Sequence, residues 1–173
     1  MESGYSEHQA RVAQEGKKAL ICGVITVSDS RTPETDVSGQ LIVQQLILAG
    51  HSVAEYHIVP DESAQITQLL EKLATQAITV VILNGGTGIA RRDSTFEAVD
   101  AMLEKRLPGF GELFRMLSFA EIGAAAMLSR ATAGLYRQTI IFSLPGSPHA
   151  VKLALEKLIM PQLTHLAWEL VRQ

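Results

Sequence analysis

Four short strand-like runs, each broken by a polar or glycine-rich turn and followed by a helical stretch, constrain this chain more than any other feature. They are Leu20–Val27 (LICGVITV), Val53–Val59, Ile78–Leu83 (ITVVIL) and Thr139–Leu144 (TIIFSL). Short β-branched runs suit strands buried on both faces, as in parallel sheets. Between them, Gly39–Ala49 reads as a helix closed by Gly50. Ser63 opens a second, whose apolar residues Ile66, Leu69, Leu70, Leu73 and Ala74 fall on one helical face. Further helices are predicted from Thr95 to about Arg106, from Glu112 to Ile122, and from Pro148 onward with a kink or restart at Pro161. Strand and helix in alternation predict an α/β domain of three layers, a mostly parallel sheet with helices on both faces.

Residues 1–18 show no period and read as a mobile tail, which leaves 19–173 as one domain. The net charge is −3, with no block of Lys or Arg and only 5% aromatic residues. Neither a nucleic-acid footprint nor a base-stacking platform is expected from that balance. No apolar run reaches the roughly 18–20 residues of a membrane span. Cys22 is the single cysteine, so an intrachain disulfide and a cysteine-based zinc cluster are excluded. The expected location is the cytoplasm. Charged residues make up 19% of the chain, below the usual value of about 25%. So little charge points to surface that is buried between subunits.

Right-handed crossovers bring the segments that follow parallel strands to one edge of the sheet, where ligands of open α/β sheets bind. Residues 28–38, 60–63, 84–94 and 145–148 therefore converge. Asn84-Gly85-Gly86-Thr87-Gly88 lets the backbone approach a ligand and turn its N–H groups outward, which suits a phosphate. It lacks the Lys of a P-loop, and Arg91 stands where a dinucleotide fingerprint needs glycine. Ser94 and Glu97 read as a capping box, which would leave Asp93 free to face the site. Arg91 and Arg92 precede it, and at least one of them is expected on an anion.

Ser28-Asp29-Ser30-Arg31 and Asp36-Val37-Ser38-Gly39 admit turn and cap roles as readily as ligand contact. In Pro60-Asp61-Glu62-Ser63, either Asp61 or Ser63 could cap the second helix. Together Asp29, Asp36, Asp61 and Asp93 would surround a phosphate loop. Carboxylates repel phosphate unless a cation intervenes, so a Mg²⁺-nucleotide is the economical ligand. Ser147 and Pro148 read as the cap and first residue of the last helix. The helix containing Phe114 and Leu117 is apolar on nearly all sides, which calls for cover by another subunit.

These stretches add up to a pattern. GVITVSDSR (23–31), DVSG (36–39), IVPDE (58–62), NGGTGIARRDSTFEA (84–98), PGFGELFRMLSFAEIG (108–123), SRATAG (129–134) and LPGSPHA (144–150) resemble the molybdenum cofactor biosynthesis MoaB/Mog family, the MoaB branch in particular. The same domain is similar to the molybdopterin-adenylylating domain of gephyrin. The resemblance runs from about residue 20 to the C-terminus. Asn84 replaces the usual Thr before GGTG, and Phe96 stands where many members carry Pro.

The resemblance implies Mg²⁺-dependent adenylyl transfer from ATP to molybdopterin, with release of pyrophosphate, by a homotrimer or homohexamer. The alternative it leaves is a catalytically weak molybdopterin-binding or carrier protein. It places Asp61 and Asp93 at the acidic positions that handle nucleotide and metal. Ser28, Asp29 and Ser30 fall in the first-strand motif. Gly85, Gly86, Thr87, Gly88, Arg92, Pro145, Gly146 and Ser147 fall on the ligand-lining loops. Other enzymes of the same pathway stand as further partners.

Overall fold

A computed structural model describes residues 19–171; the tail expected at 1–18 lies outside them. The strands are β1 (Ile21–Val27), β2 (Ser52–Val59), β3 (Val80–Asn84), β4 (Lys105–Arg106), β5 (Thr132–Tyr136) and β6 (Thr139–Leu144). They form one sheet in the order β2-β1-β3-β6-β5-β4. The first four in that order are mutually parallel. β5 runs antiparallel to β6, and β4 antiparallel to β5. The helices are α1 (Val37–Leu48), α2 (Ser63–Ala74), α3 (Thr95–Met102), α4 (Pro108–Ile122), α5 (Pro148–Ala154) and α6 (Met160–Val171). A 3₁₀ turn, Gly123–Leu128, follows α4, and a π-helical segment, Leu155–Ile159, joins α5 to α6 ahead of Pro161.

Alternation along the strands sorts side chains into two cores. Val80 and Ile82 face one core with Ile42 and Leu46 of α1, Phe114 of α4, and Val151 and Leu163 of the C-terminal helices. Val81 and Leu83 face the other with Ile66, Leu70 and Leu73 of α2 and Val99 of α3. The three expected layers follow. Each large side chain so buried contributes roughly 1.5–3 kcal/mol. Cys22 belongs to the first core, and burial pushes its thiol pKa up to about 12, so it is an inert packing residue.

Four elements differ from the sequence expectation: α3, β4, α4 and β5. The helix predicted to reach Arg106 ends at Met102, because Leu103 turns extended and the chain joins the sheet as β4. The Glu104 N–H donates to the Leu135 carbonyl at 2.8 Å, and the Leu107 N–H to the Ala133 carbonyl at 2.7 Å. Pro108 excludes helical backbone at Leu107 and opens α4 four residues before the predicted Glu112. Thr132–Tyr136, for which no element is predicted, forms β5.

The apolar helix α4 also divides differently. Phe114 is 0% exposed and belongs to this chain's own core, its ring 6.5 Å from that of Phe110. Leu117 is half-buried against the same core. The uncovered row is Leu113, Met116 (59% exposed), Phe119 (63% exposed) and Ile122, continued by Met127 in the 3₁₀ turn.

Candidate functional site

The chain leaves β1 for β2 on one side of the sheet, and β3 then lies on β1's other side. The crevice between the β1 and β3 loops is the topological switch point of the sheet, where ligands of such folds sit. Asn84 ties the two strands there. Its Nδ2 donates to the Thr26 hydroxyl at 2.8 Å and to the Ile25 carbonyl at 3.4 Å, fully out of solvent. The departure from Thr at this position thus has a local use as a cross-strand tie.

Beyond Asn84 the chain turns sharply. Gly85 has φ +101° and Gly86 φ +63°, conformations that L side chains rarely adopt. The space is also closed to side chains. A Cβ on Gly85 would run into the Val27 carbonyl, and one on Gly86 would lie 2.6 Å from Asp61 Oδ2. Gly146, from the loop after β6, packs so that its Cβ would stand 3.0 Å from Gly85 Cα. The Gly85 N–H donates to the Leu144 carbonyl at 3.0 Å. Among the described residues, no protein acceptor takes the N–H groups of Gly86, Thr87, Gly88 or Ile89. Consecutive open amides of this kind form a concavity for anions.

Carboxylates stand along this loop. Asp61 Oδ1 accepts from the Ser94 N–H at 3.1 Å, the Ser94 hydroxyl at 3.1 Å and the Thr95 hydroxyl at 3.2 Å. It therefore caps α3 from outside. Ser94 makes no side-chain cap bond, so the predicted capping box does not form. α2, for which Asp61 or Ser63 was the expected cap, begins after Glu62 with no side-chain cap bond. Asp93 Oδ2 accepts from the Ala90 N–H at 3.0 Å and lies against Gly88. Asp29 Oδ1 accepts from the Asp61 N–H at 3.3 Å, while Oδ2 pairs with the Arg92 guanidinium. Arg92 thus sits beside the acidic loop residues.

Asp36 takes no place in this group. It is buried, caps α1 through the Gly39 N–H at 2.9 Å, and accepts the Tyr56 hydroxyl at 2.6 Å. Burial, reinforced by that bond, holds the Tyr56 hydroxyl pKa well above its ordinary value. Ser28 Oγ accepts from the Ser30 and Arg31 N–H groups at 3.3 and 3.2 Å, which shapes the β1 loop. Ser147 caps α5 as expected, accepting the Ala150 N–H at 3.1 Å. Ser38 donates to the Gly146 carbonyl at 2.8 Å and so joins α1 to the β6 loop beside Pro145.

Sequence reasoning missed Arg130. Its Nε donates to the Thr87 carbonyl at 2.8 Å, its Nη2 to the Gly88 carbonyl, and its Nη1 pairs with Glu97. The guanidinium lies 4.9 Å from the centre of the Phe96 ring. The hydrogen bond from Arg130 holds the Glu97 carboxyl below its ordinary pKa. The only sequence signal was a single Arg within the small-residue stretch SRATAG.

A mostly parallel sheet with an open-amide turn and flanking carboxylates at its switch point is the frame of an α/β ligand-binding domain, and the turn suits an anion. Comparison with known proteins narrows that class. Residues 23–165 match the family model described as a probable molybdopterin binding domain. The chain is 50% identical over 162 residues to molybdenum cofactor biosynthesis protein B of Bacillus cereus, covering 92% of this chain and 96% of that one. It is 52% identical over 159 residues to the protein of the same name from Bacillus subtilis, covering 91% and 94%. A crystal structure of molybdenum cofactor biosynthesis protein B superposes with a TM-score of 0.88 at 51% identity, over 90% of this chain and 98% of that one. The tungsten cofactor synthesizing protein MoaB from Pyrococcus furiosus gives 0.80 at 39% identity, over 88% and 97%. The chain belongs to the MoaB/Mog family of molybdenum cofactor biosynthesis proteins.

Proposed function

We propose that this protein transfers the adenylyl group of Mg-ATP to the terminal phosphate of molybdopterin. An oxygen of the acceptor phosphate bonds to the α-phosphorus of ATP, the bond from that phosphorus to the α,β-bridging oxygen breaks, and pyrophosphate leaves. The observation that carries this reading is the row of open amides from Gly86 to Ile89, placed beside Asp61 and Asp93. A phosphate monoester is largely ionised near neutral pH, with a second pKa of about 6. It needs no general base, and none of the residues gathered here is asked to act as one. The amides hold an anionic group in place, and Arg92, paired with Asp29, stands at the same mouth. Such transfer depends on positioning and charge neutralisation rather than covalent help.

The donor set fits Mg²⁺ in the way that ion is usually held, by one or two carboxylates plus substrate phosphates. Asp61 Oδ2 and Asp93 Oδ1 have no protein donor among the described residues, and they are the oxygens that would hold it. Mg²⁺ supplies neutralisation of phosphate charge when bound. We propose a homotrimer or homohexamer as the working form; the uncovered row on α4 supports association of subunits. We also propose a cytoplasmic site of action; no helix among the described residues is long and apolar enough to cross a membrane.

A second reading, a molybdopterin-binding carrier, draws on the family model that matches residues 23–165, described as a probable molybdopterin binding domain. Titration with Mg-ATP, followed by assay of pyrophosphate release with molybdopterin present, separates the two. The adenylyltransferase binds nucleotide and releases pyrophosphate; the carrier does neither.

A further inference from the structure

The open amides of the glycine turn need something behind them. A peptide carbonyl and the N–H of the next residue share one plane and point in opposite directions. Fixing the Thr87 carbonyl therefore fixes the Gly88 N–H, and fixing the Gly88 carbonyl fixes the Ile89 N–H. Arg130 engages both carbonyls with two nitrogens of one guanidinium. Only a planar fork can span two successive carbonyls while a further nitrogen pairs with Glu97. The Phe96 ring faces the guanidinium at 4.9 Å. Phe96 and Glu97 sit in the first turn of α3, so the fork is anchored to a helix that Asp61 itself caps. The Glu97 carboxylate offsets the guanidinium charge locally. Arg130 is thus equipped to shape the turn rather than to attract the ligand.

We propose that Arg130 is the positioning residue of the glycine turn, holding the Thr87 and Gly88 carbonyls on one side so that the Gly88 and Ile89 amides face the anionic ligand on the other. This rests on the proposed adenylyl transfer for the identity of the anion, but not for the clamp itself. It also gives Phe96 a use, as the ring on which the clamp is seated.

The test compares Arg130→Gln, Arg130→Lys and Phe96→Ala with the unaltered protein. Inorganic pyrophosphate serves as the anion probe by calorimetry, and amide resonances of Gly88 and Ile89 report the turn directly. Arg130→Gln is expected to weaken pyrophosphate binding at least tenfold and to displace both resonances. In the transfer assay the KM for the anionic substrate rises, with a loss in kcat/KM of about a hundredfold. A merely structural role would lower the folded fraction, and so kcat, at unchanged KM. Arg130→Lys keeps the charge without the fork and should resemble Gln, not the unaltered protein. Should the Arg130 variants not fold, Phe96→Ala keeps both carbonyl bonds and is expected to shift the same resonances less, in the same direction. Unchanged resonances and unchanged affinity in a folded Arg130→Gln variant would overturn the clamp. If the unaltered protein binds neither pyrophosphate nor Mg-ATP, the adenylyl-transfer reading falls, while displaced resonances in the variant still establish the clamp.

Discussion

Asp61 caps the helix that begins at Thr95, accepting the Ser94 N–H at 3.1 Å across more than thirty residues of chain. Its carboxylate thereby joins the β2 loop to the far end of the glycine turn. One oxygen is committed to this task, and the other faces Gly86. The two roles separate by substitution. Asp61→Asn keeps an acceptor oxygen and is expected to melt within a few degrees of the unaltered protein, while adenylyl transfer falls by orders of magnitude. Asp61→Ala should in addition lose about 1–2 kcal/mol of stability with the cap. Thermal melts beside a pyrophosphate-release assay decide the matter; equal turnover in Asp61→Asn would make the carboxylate a cap and nothing more.

Asp93 offers a cleaner measurement, because its carboxylate makes one protein bond among the described residues and that bond is local, from the Ala90 N–H at 3.0 Å. Asp93→Asn retains that acceptor. The expected result is an unchanged melt, weaker dependence of nucleotide binding on Mg²⁺, and loss of transfer. Mg²⁺ titration at fixed ATP reads the second of these.

The row on α4 predicts how the assembly comes apart. Phe119→Glu and Met116→Glu place a charge on residues that are exposed in the single chain. Light scattering should show smaller particles that keep a folded circular dichroism spectrum. Phe114→Glu should instead abolish folding, since it would put an unpaired carboxylate into a side chain's place at 0% exposure. Intact assemblies in both surface variants would place the subunit contact elsewhere.

Acid should loosen the start of β1. His51 Nδ1 accepts the Leu20 N–H at 3.3 Å, and burial lowers the His51 pKa below its ordinary 6.5. A histidine whose folded pKa is depressed contributes stability that is complete above the unfolded pKa and is lost as pH falls through the folded one. Denaturant midpoints should therefore decline as pH drops below about 6.5. His51→Gln should remove that part of the pH dependence; an unchanged slope would assign it to another group.

The parallel core of the fold was legible because burial on both faces leaves a mark in the sequence. Val80 to Leu83 is apolar without interruption since its residues feed two cores in turn. The edge strands left no such mark. β4 is two exposed residues, Lys105 and Arg106, paired with β5 through the backbone and tied to α3 by the Arg106 guanidinium on Asp100. β5 opens on the small residues Thr132, Ala133 and Gly134, whose pattern suits backbone packing as well as a strand. The acidic and glycine positions could be gathered from topology, because every parallel strand delivers its loop to the same edge. Which carboxylate serves which helix could not. Local rules consider caps within a few residues, and Asp61 reaches Ser94 through the fold. Arg130 was hidden for the same reason: its partners Thr87 and Gly88 lie more than forty positions away.

The close approach of Gly85 and Gly146 bears on how such a chain can change over time. Room for a larger residue is commonly made by shrinking its neighbour. For Gly146 the neighbour is already the smallest residue and the contact is with its Cα, while for Gly85 it is the Val27 carbonyl; no substitution removes either. Neither position has a compensating partner, so stepwise drift has no route away from the pair. A saturation library selected for folding should return glycine at position 85 and glycine or the smallest side chains at position 146, and a graft of the β3 loop onto a related scaffold should succeed best when the β6 loop travels with it.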